Sequence, residues 1–388
     1  MRRICVVTGS RAEYGLLKNL LTRLKKDKSI DLKLIVTGSH LSKFYGSTYK
    51  EILKDGFRID KKILIALKKN NNKKDITKYT GKAISNFADA YDDLKPDILV
   101  VLGDRYEIFA SVFSAINANI PIAHIHGGEK TLGSIDEIIR HSITKMSTWH
   151  FVSTLSYKKR VIQLGEIPSN VFHVGGLAYE SISRMNFLEK KIFEKKINLK
   201  LSKNNFLITF HPDTSERSFS MAGCNNMISA INKIKDSTFI FTLSNADAEG
   251  GNINKRIIDF VKNNRTKCVY FSSMGQYLYY SALKNCNIII GNSSSAIIEA
   301  PYFNIPSINI GDRQKGRLSA KSIINSKIDK LSILGAIKKA IKINLDKNKK
   351  VFINPYGKYK SSKKIISILK KVNLNKNNSR KLFYDINY

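Results

Sequence analysis

The sequence is poor in cysteine, proline, tryptophan and acid. Its 388 residues hold 4 Cys, 7 Pro and 1 Trp, and only 31 acidic residues face 66 basic ones. Cys5, Cys224, Cys268 and Cys286 show neither metal-ligand spacing nor a disulfide framework. Three of them fall in or beside apolar runs, where a free thiol packs as a small hydrophobe. A reducing, cytoplasmic setting is the expectation. No run approaches the roughly 18 apolar residues of a membrane-spanning helix, so no integral membrane segment is expected. The opening MRRICVVTGSRAEYG lacks the longer apolar stretch and small-residue cleavage site of a secretory leader. Sustained heptads are also missing, and 22 Gly interrupt the chain, which excludes a long coiled coil.

What is present is basic charge and apolar residues, in different places. The net charge of +35 invites a nucleic-acid reading. Its distribution argues against one, because the lysines travel with asparagines, as in KKNNNKKD (68–75) and LNKNNSRK (374–381), rather than with aromatics on one face. No nucleic-acid partner is expected. The 43% of hydrophobic residues can fill one large core or two ordinary ones. Short β-branched runs recur: ICVVTG (4–9), LKLIVTG (32–38), DILVVLGD (97–104), IPIAHIHGG (120–128), WHFVST (149–154) and VFHVGG (171–176). After a charged stretch at 187–205 they restart as FLITFHP (206–212), TFIFTLSNAD (238–247), KCVYFSS (267–273), NIIIGNSSS (287–295) and IPSINIGDR (305–313). Amphipathic stretches lie between them, with Leu16, Leu17, Leu20, Leu21 and Leu24 on one predicted stripe and Ile108, Val112, Phe113 and Ile116 on another. Such alternation predicts an α/β fold of two Rossmann-like, doubly wound parallel-sheet domains facing a central cleft. The expected spans are 1–180, 181–370 and a tail at 371–388. Segment 356–370 reads as a closing helix.

Ligands of such sheets sit beyond the carboxyl ends of the strands, and the polar motifs cluster there. TGSRAEYG (8–15) opens a helix whose free N–H groups, with Arg11, suit an anion; it also fits an ordinary strand-to-helix turn. GDRYE (103–107) sets Asp104 just past a strand, either as a base or paired with Arg105. HIHGGEKTLGSIDEIIRHSITKMS (124–147) packs His124, His126, Glu129, Asp136, Glu137, Arg140 and His141 together, a mixture that can hold acid and base apart or form a local ion-pair network. His211 in FHPDTSE (210–216) suits a phosphate. Ser293, Ser294 and Ser295 enter a short helix that carries Glu299, a carboxylate suited to sugar hydroxyls, and INIGDRQKGR (308–317) adds Arg313 and Arg317. Tyr277 either lies against a base or packs as helix core. Serines, carboxylate and basic loop in this order suggest a nucleoside-diphosphate sugar.

In this order the motifs closely resemble the hydrolysing UDP-N-acetylglucosamine 2-epimerases of bacterial sialic acid and capsule synthesis, relatives of the non-hydrolysing 2-epimerases and of GT-B glycosyltransferases. The resemblance covers nearly the whole chain. It implies a GT-B-like homodimer that converts UDP-N-acetylglucosamine and water to N-acetylmannosamine and UDP, with no cofactor and no essential metal. The implied reaction removes the proton at C2 as UDP leaves C1, passes through a 2-acetamidoglucal, adds water at C1 and returns a proton to C2 on the other face. By motif, Asp104 and Asp136 match acid–base carboxylates, and Arg11, His211, Ser293, Glu299 and Arg317 match nucleotide-diphosphate contacts, with Ser294, Ser295 and Arg313 beside them. One position departs. Many relatives carry a carboxylate where this chain has His126, so His126 is expected to move the proton, with Glu129 as the open alternative. A UDP- or GDP-linked 2,4-diacetamido-2,4,6-trideoxyglucose is the alternative substrate. A GT-B glycosyltransferase, a non-hydrolysing epimerase and a non-catalytic nucleotide-sugar sensor are the competing classes.

Overall fold

Residues 1–65, 71–132, 135–212, 217–244, 250–346, 351–357, 359–374 and 381–386 are described by the computed structural model, with 217–219 given by backbone alone. The readings at 133–134, 213–216, 245–247, 375–380 and 387–388 lie outside the described residues.

Each β-branched run becomes a strand, and central strands such as Ile98–Leu102, Ile122–Ile125, Asn204–Thr209 and Ser237–Thr242 are buried along their whole length. Strands β1 (Arg2–Thr8), β2 (Ile30–Thr37), β3 (Lys61–Ile63), β4 (Ile98–Leu102), β5 (Ile122–Ile125), β6 (Trp149–Val152) and β7 (Val171–His173) form one sheet in the order β3-β2-β1-β4-β5-β6-β7. Strands β8 (Asn204–Thr209), β9 (Ser237–Thr242), β10 (Cys268–Phe271), β11 (Ile288–Gly291), β12 (Ser307–Ile310) and β13 (Ile323–Ser326) form a second, in the order β10-β9-β8-β11-β12-β13. Every pairing is parallel. The twofold side-chain period sorts residues between layers: Ile4 and Val6 enter one core and Cys5 and Val7 the opposite one, while Phe206 and Ile208 part from Leu207 in the second sheet. Each fully buried side chain contributes about 1.5–3 kcal/mol of transfer free energy. The expected pair of doubly wound parallel sheets is present.

The helices used below are α1 (Arg11–Lys26), α2 (Tyr106–Asn117), α3 (Ile135–Met146), α4 (Leu155–Gln163), α5 (Gly275–Asn285), α6 (Ser294–Ile298) and α7 (Ser361–Lys371). In α1, Leu17, Leu20, Leu21 and Leu24 are fully buried, whereas Leu16 is partly exposed at the border with the second unit's core. The stripe expected on α2 is rotated. Ile108 and Val112 are buried, but Phe113 and Ile116 stand exposed, because Ser111 and Ala115 take the inward positions one turn apart. Tyr91 explains the polar inward residue: its hydroxyl lies 2.6 Å from Ser111 Oγ.

The helix expected to close the second unit packs on the first. Ile365, Ile366 and Leu369 of α7 join the core of Leu17, Leu20 and Leu24. Ser361 Oγ donates to Val174 O at 2.9 Å, and the Ser362 N–H donates to buried Glu180 at 2.7 Å. The chain therefore crosses between the sheets twice, near 176–183 and again past Tyr356. The two crossings touch, since the Gly176 N–H donates to Tyr356 O at 3.2 Å. Gly175 has φ +84°, and a Cβ there would lie 2.1 Å from Tyr359 Cδ2, so only glycine fits.

Strand order reverses between β1 and β4 in the first sheet and between β8 and β11 in the second. A crevice opens at such switch points. Both face the same cleft.

Candidate active site

The cleft holds about 390 Å³ and is lined from both sheets, by Arg11, Asp104, His126, Asp136 and Arg140 on one side and by His211, Ser293–Ser295, Glu299, Arg313 and Arg317 on the other. It brings together all but two of the expected site residues. Glu129 stands behind the wall, and Tyr277, 48% exposed, lies off it.

The loop after β1 is shaped by two buried acids. The Gly9 N–H donates to Glu13 Oε2 at 2.8 Å, and a Cβ on Gly9 would lie 2.5 Å from Glu107 Cγ. Arg105 donates to Glu107 Oε1 at 2.7 Å and reaches Glu13 at 3.9 Å. Burial, and then the neighbouring Glu107, push the Glu13 carboxyl up to about 7. Arg11 leaves this turn and donates to Ser273 Oγ at 2.6 Å, spanning the cleft.

Asp104 follows Gly103, whose φ is +82°. Its partner is Arg140, not the adjacent Arg105. Arg140 is 1% exposed and also donates to Glu129 O at 2.8 Å and Thr131 Oγ1 at 3.2 Å. It thereby ties α3 to the loops after β4 and β5. Asp136 lies one helical turn before Arg140 and lines the same cleft.

The three histidines of the 124–147 motif separate. Fully buried His124 sits between Gly103 O, at 2.8 Å from Nε2, and Thr144 Oγ1, at 3.2 Å from Nδ1. Burial pushes it down to about 3, so it is a neutral structural residue. His141 packs beside Glu137 at 3.3 Å. His126 faces the cleft with φ +65°, a left-handed conformation uncommon outside glycine. Its Nδ1 lies 3.4 Å from Glu129 Oε1, and its buried Nε2 finds no hydrogen-bond partner among the described residues. Burial lowers His126 below the ordinary histidine range, with Glu129 opposing and Arg317 adding to the shift.

Glu129 is an anchor point. Ser153 Oγ donates to its Oε1 at 3.0 Å, and Arg317 from the second sheet reaches its Oε2 at 3.2 Å. Burial opposes the charge on Arg317, but Glu129, with Tyr356 and Tyr157, holds it above its usual range. Of the two alternatives, His126 occupies the cleft wall and Glu129 supports it.

On the second wall, Gly291 has φ +142°, and a Cβ there would lie 1.8 Å from Thr209 O. This close approach lets the Asn292 side chain bridge β8 and β11: it accepts from the His211 N–H at 2.7 Å and donates to His211 O at 2.8 Å. Arg313 and Gln314 both donate to Asn292 O, at 3.1 and 2.9 Å. Ser293 caps α6, and Ser295 Oγ donates to Glu299. Tyr279 donates to Ser295 Oγ and Tyr280 to Glu299 Oε1, each at 2.7 Å. Burial raises the Glu299 carboxyl, and these donors pull it back. The sequence pointed to Tyr277; the neighbouring Tyr279 and Tyr280 face the cleft instead. Three tyrosines within four residues leave the helical phase unreadable until α5 is seen docked. Among the described residues no group of three His, Cys, Asp or Glu side chains is placed to hold a metal ion, and no helix is long and apolar enough to cross a membrane.

A family model described as UDP-N-acetylglucosamine 2-epimerase matches residues 22–370. The chain is 46% identical over 330 residues to a GDP/UDP-N,N'-diacetylbacillosamine 2-epimerase (hydrolyzing) of Campylobacter jejuni, covering 85% of each chain. It is 40% identical over 393 residues to polysialic acid biosynthesis protein P7 of Escherichia coli, covering 100% of this chain and 98% of that one. The fold matches the crystal structure of UDP-GlcNAc 2-epimerase from Neisseria meningitidis bound to UDP-GlcNAc, with a TM-score of 0.78, 21% identity, and 95% and 100% of the two chains covered.

Proposed function

This chain belongs to the UDP-N-acetylglucosamine 2-epimerase family and is a hydrolysing nucleotide-sugar 2-epimerase; from that premise we propose that its substrate is a nucleoside-diphosphate-linked 2,4-diacetamido-2,4,6-trideoxyglucose. The observation that carries the sugar assignment is the 46% identity to the Campylobacter jejuni enzyme across 85% of both chains. It displaces UDP-N-acetylglucosamine from first place. The second reading, UDP-N-acetylglucosamine, is favoured by the end-to-end match to the Escherichia coli polysialic acid protein.

The reaction draws on both walls. Neutral His126, in the cleft wall with Glu129 at its Nδ1, takes the C2 proton. The C2–H electrons form the C1–C2 double bond as the C1–O bond to the diphosphate breaks. Arg11, Arg313, His211 and the serines at 293–295 receive the leaving charge. Glu299 accepts ribose hydroxyls on the lone pairs that Ser295 and Tyr280 leave open. Asp104 or Asp136 gives a proton to C2 from the other face as water adds at C1, and that carboxylate takes up the proton the water loses. Arg140 aims Asp104 into the cleft. The expected homodimer has apolar surface available, with Phe113, Ile116 and Ile138 exposed on the adjacent helices α2 and α3; sedimentation velocity tests it.

Proton NMR in deuterated water, with each nucleotide sugar in turn, tests the assignment. Release of nucleoside diphosphate and of a free 2-epimer deuterated at C2, from the diacetamido substrate alone, supports it. Turnover of UDP-N-acetylglucosamine alone moves the second reading to first place. Nucleotide binding without turnover of either would favour a sensor.

A further inference from the structure

A second buried ionisable cluster lies away from the cleft, at the far end of the helix that carries Asp136 and Arg140. Glu166 is 2% exposed and follows α4. Three groups converge on it: His150 Nε2 of β6 at 2.9 Å, Lys145 Nζ of α3 at 2.8 Å and Lys381 Nζ at 2.7 Å. Lys381 comes from the C-terminal tail, which here packs back on the first unit. Its ammonium also donates to Thr144 O at 3.1 Å, Lys145 O at 2.5 Å and Ser147 O at 2.7 Å. Thr144 and Lys145 lie in the last turn of α3 and Ser147 just beyond it, where carbonyls carry the negative end of the helix dipole; Thr144 O also accepts from the Ser147 N–H at 3.1 Å.

The neighbouring residues of the segment fit the same place. The Tyr384 N–H donates to Gly165 O at 2.9 Å. Phe383 covers Gly165, where a Cβ would lie 2.3 Å from its ring, and Lys145 Nζ sits 4.7 Å from the centre of that ring. Lys145 is thus held by Glu166 on one side and Phe383 on the other.

We propose that Lys381 and Phe383 are positioning residues for the epimerase reaction: they staple the C-terminal end of α3 to β6 and to the Gly165–Glu166 turn, so that Asp136 and Arg140 keep their register in the cleft. Helix α3 is 12 residues, or three turns, and its first half bears the site residues while its last turn bears the staple. A short helix clamped at one end only can rock about Arg140. The segment removes that freedom without touching substrate. This role rests on the function proposed above only for its activity readout.

The test uses the full chain and Lys381→Met, Lys381→Arg, Phe383→Ala and a variant lacking residues 381–388. Each is checked for folded secondary structure, then for kcat, KM, UDP affinity and amide exchange across residues 135–147. Lys381→Met and the truncation are expected to lower kcat by about tenfold to a hundredfold, to leave KM and UDP affinity near wild type, and to speed exchange in α3. Lys381→Arg restores kcat. Should the truncation not fold, Phe383→Ala carries the test with the same expected split. Wild-type kcat together with unchanged exchange in Lys381→Met overturns the proposal. If the wild-type protein turns over neither sugar, exchange in the UDP-bound protein decides alone: faster exchange keeps the staple while the substrate assignment falls, and unchanged exchange removes the staple.

Discussion

Replacing Glu129 with Gln keeps the shape of the His126 support and removes its charge. Ser153 can still donate to the amide oxygen. What disappears is the carboxylate that stabilises an imidazolium once His126 has taken the C2 proton. At the observed 3.4 Å, that attraction is about 5 kcal/mol for an effective dielectric of about 20, as an upper bound. Arg317 at 3.2 Å already offsets part of it. A remaining loss of about 3–4 kcal/mol corresponds to a 10²–10³-fold fall in kcat, roughly. KM should hold, because Glu129 does not line the cleft. The pH profile should move as well. Glu129 raises the His126 pKa and Arg317 lowers it, so removing the carboxylate shifts the acidic limb of kcat/KM to lower pH. Stranding Arg317 in a buried site costs about 3–5 kcal/mol of stability, so urea unfolding must accompany the kinetics. In E129Q/R317M the stranded charge is gone, and stability should recover while kcat does not. The assay is C2 deuterium incorporation with nucleotide release, followed from pH 5 to pH 9. Unchanged kcat with an unmoved acidic limb would refute the pairing of His126 with Glu129 as the proton-moving unit.

Glu13→Gln should change how stability depends on pH. A carboxyl raised from 4.5 to about 7 contributes stability that is present below 4.5 and lost as pH rises through 7, so wild-type unfolding free energy should fall across that window. The variant, which still accepts from Gly9, should flatten the curve in urea titrations between pH 5 and 8; a curve parallel to wild type rejects the shared burial of Glu13 and Glu107. Tyr280→Phe removes a 2.7 Å donor from Glu299 and should weaken UDP binding by about 1–2 kcal/mol in calorimetry. Unchanged affinity would take Glu299 out of ribose recognition. Ile365→Ala empties a fully buried position where α7 meets α1 and should cost about 2–5 kcal/mol in urea unfolding; a loss near zero would mean that α7 does not contribute to that core.

The strands were readable because runs such as ILVV (98–101) and FLIT (206–209) are buried on both faces, and a two-sided core leaves no polar residue to confuse the pattern. The polar motifs were readable for the opposite reason: Asp104, His126 and Ser293–Ser295 end apolar strands and have no core role there. Pairings across distance were not readable. Arg105 is adjacent to Asp104 in sequence, yet Arg140 holds it, because Arg105 is drawn to Glu107 and the α3 helix brings Arg140 over the strand ends. Phe113 and Ile116 fit an apolar stripe better than Ser111 and Ala115 do, and Tyr91 from another helix satisfies the buried Ser111 hydroxyl. The return of α7 was equally hidden, since its Ile365 and Leu369 suit either core. His126 and Glu129 are three residues apart, and no sequence rule says which reaches the cleft.

The double crossing at Gly176 and Tyr356 restricts mechanics as well as topology. Two bodies joined by one strand can swivel in any direction; joined by two strands in contact, they retain one easy rotation, about the line through both. Tyr356 sits on that line, with its hydroxyl 3.2 Å from both the Tyr157 hydroxyl and Leu318 O, one on each body. Opening on such an axle would draw Arg317 away from Glu129, an ion pair that joins the second sheet to the support of His126. The jaw angle would then reach the basicity of His126, the proposed proton-moving group, because Arg317 is one of the charges that lower it.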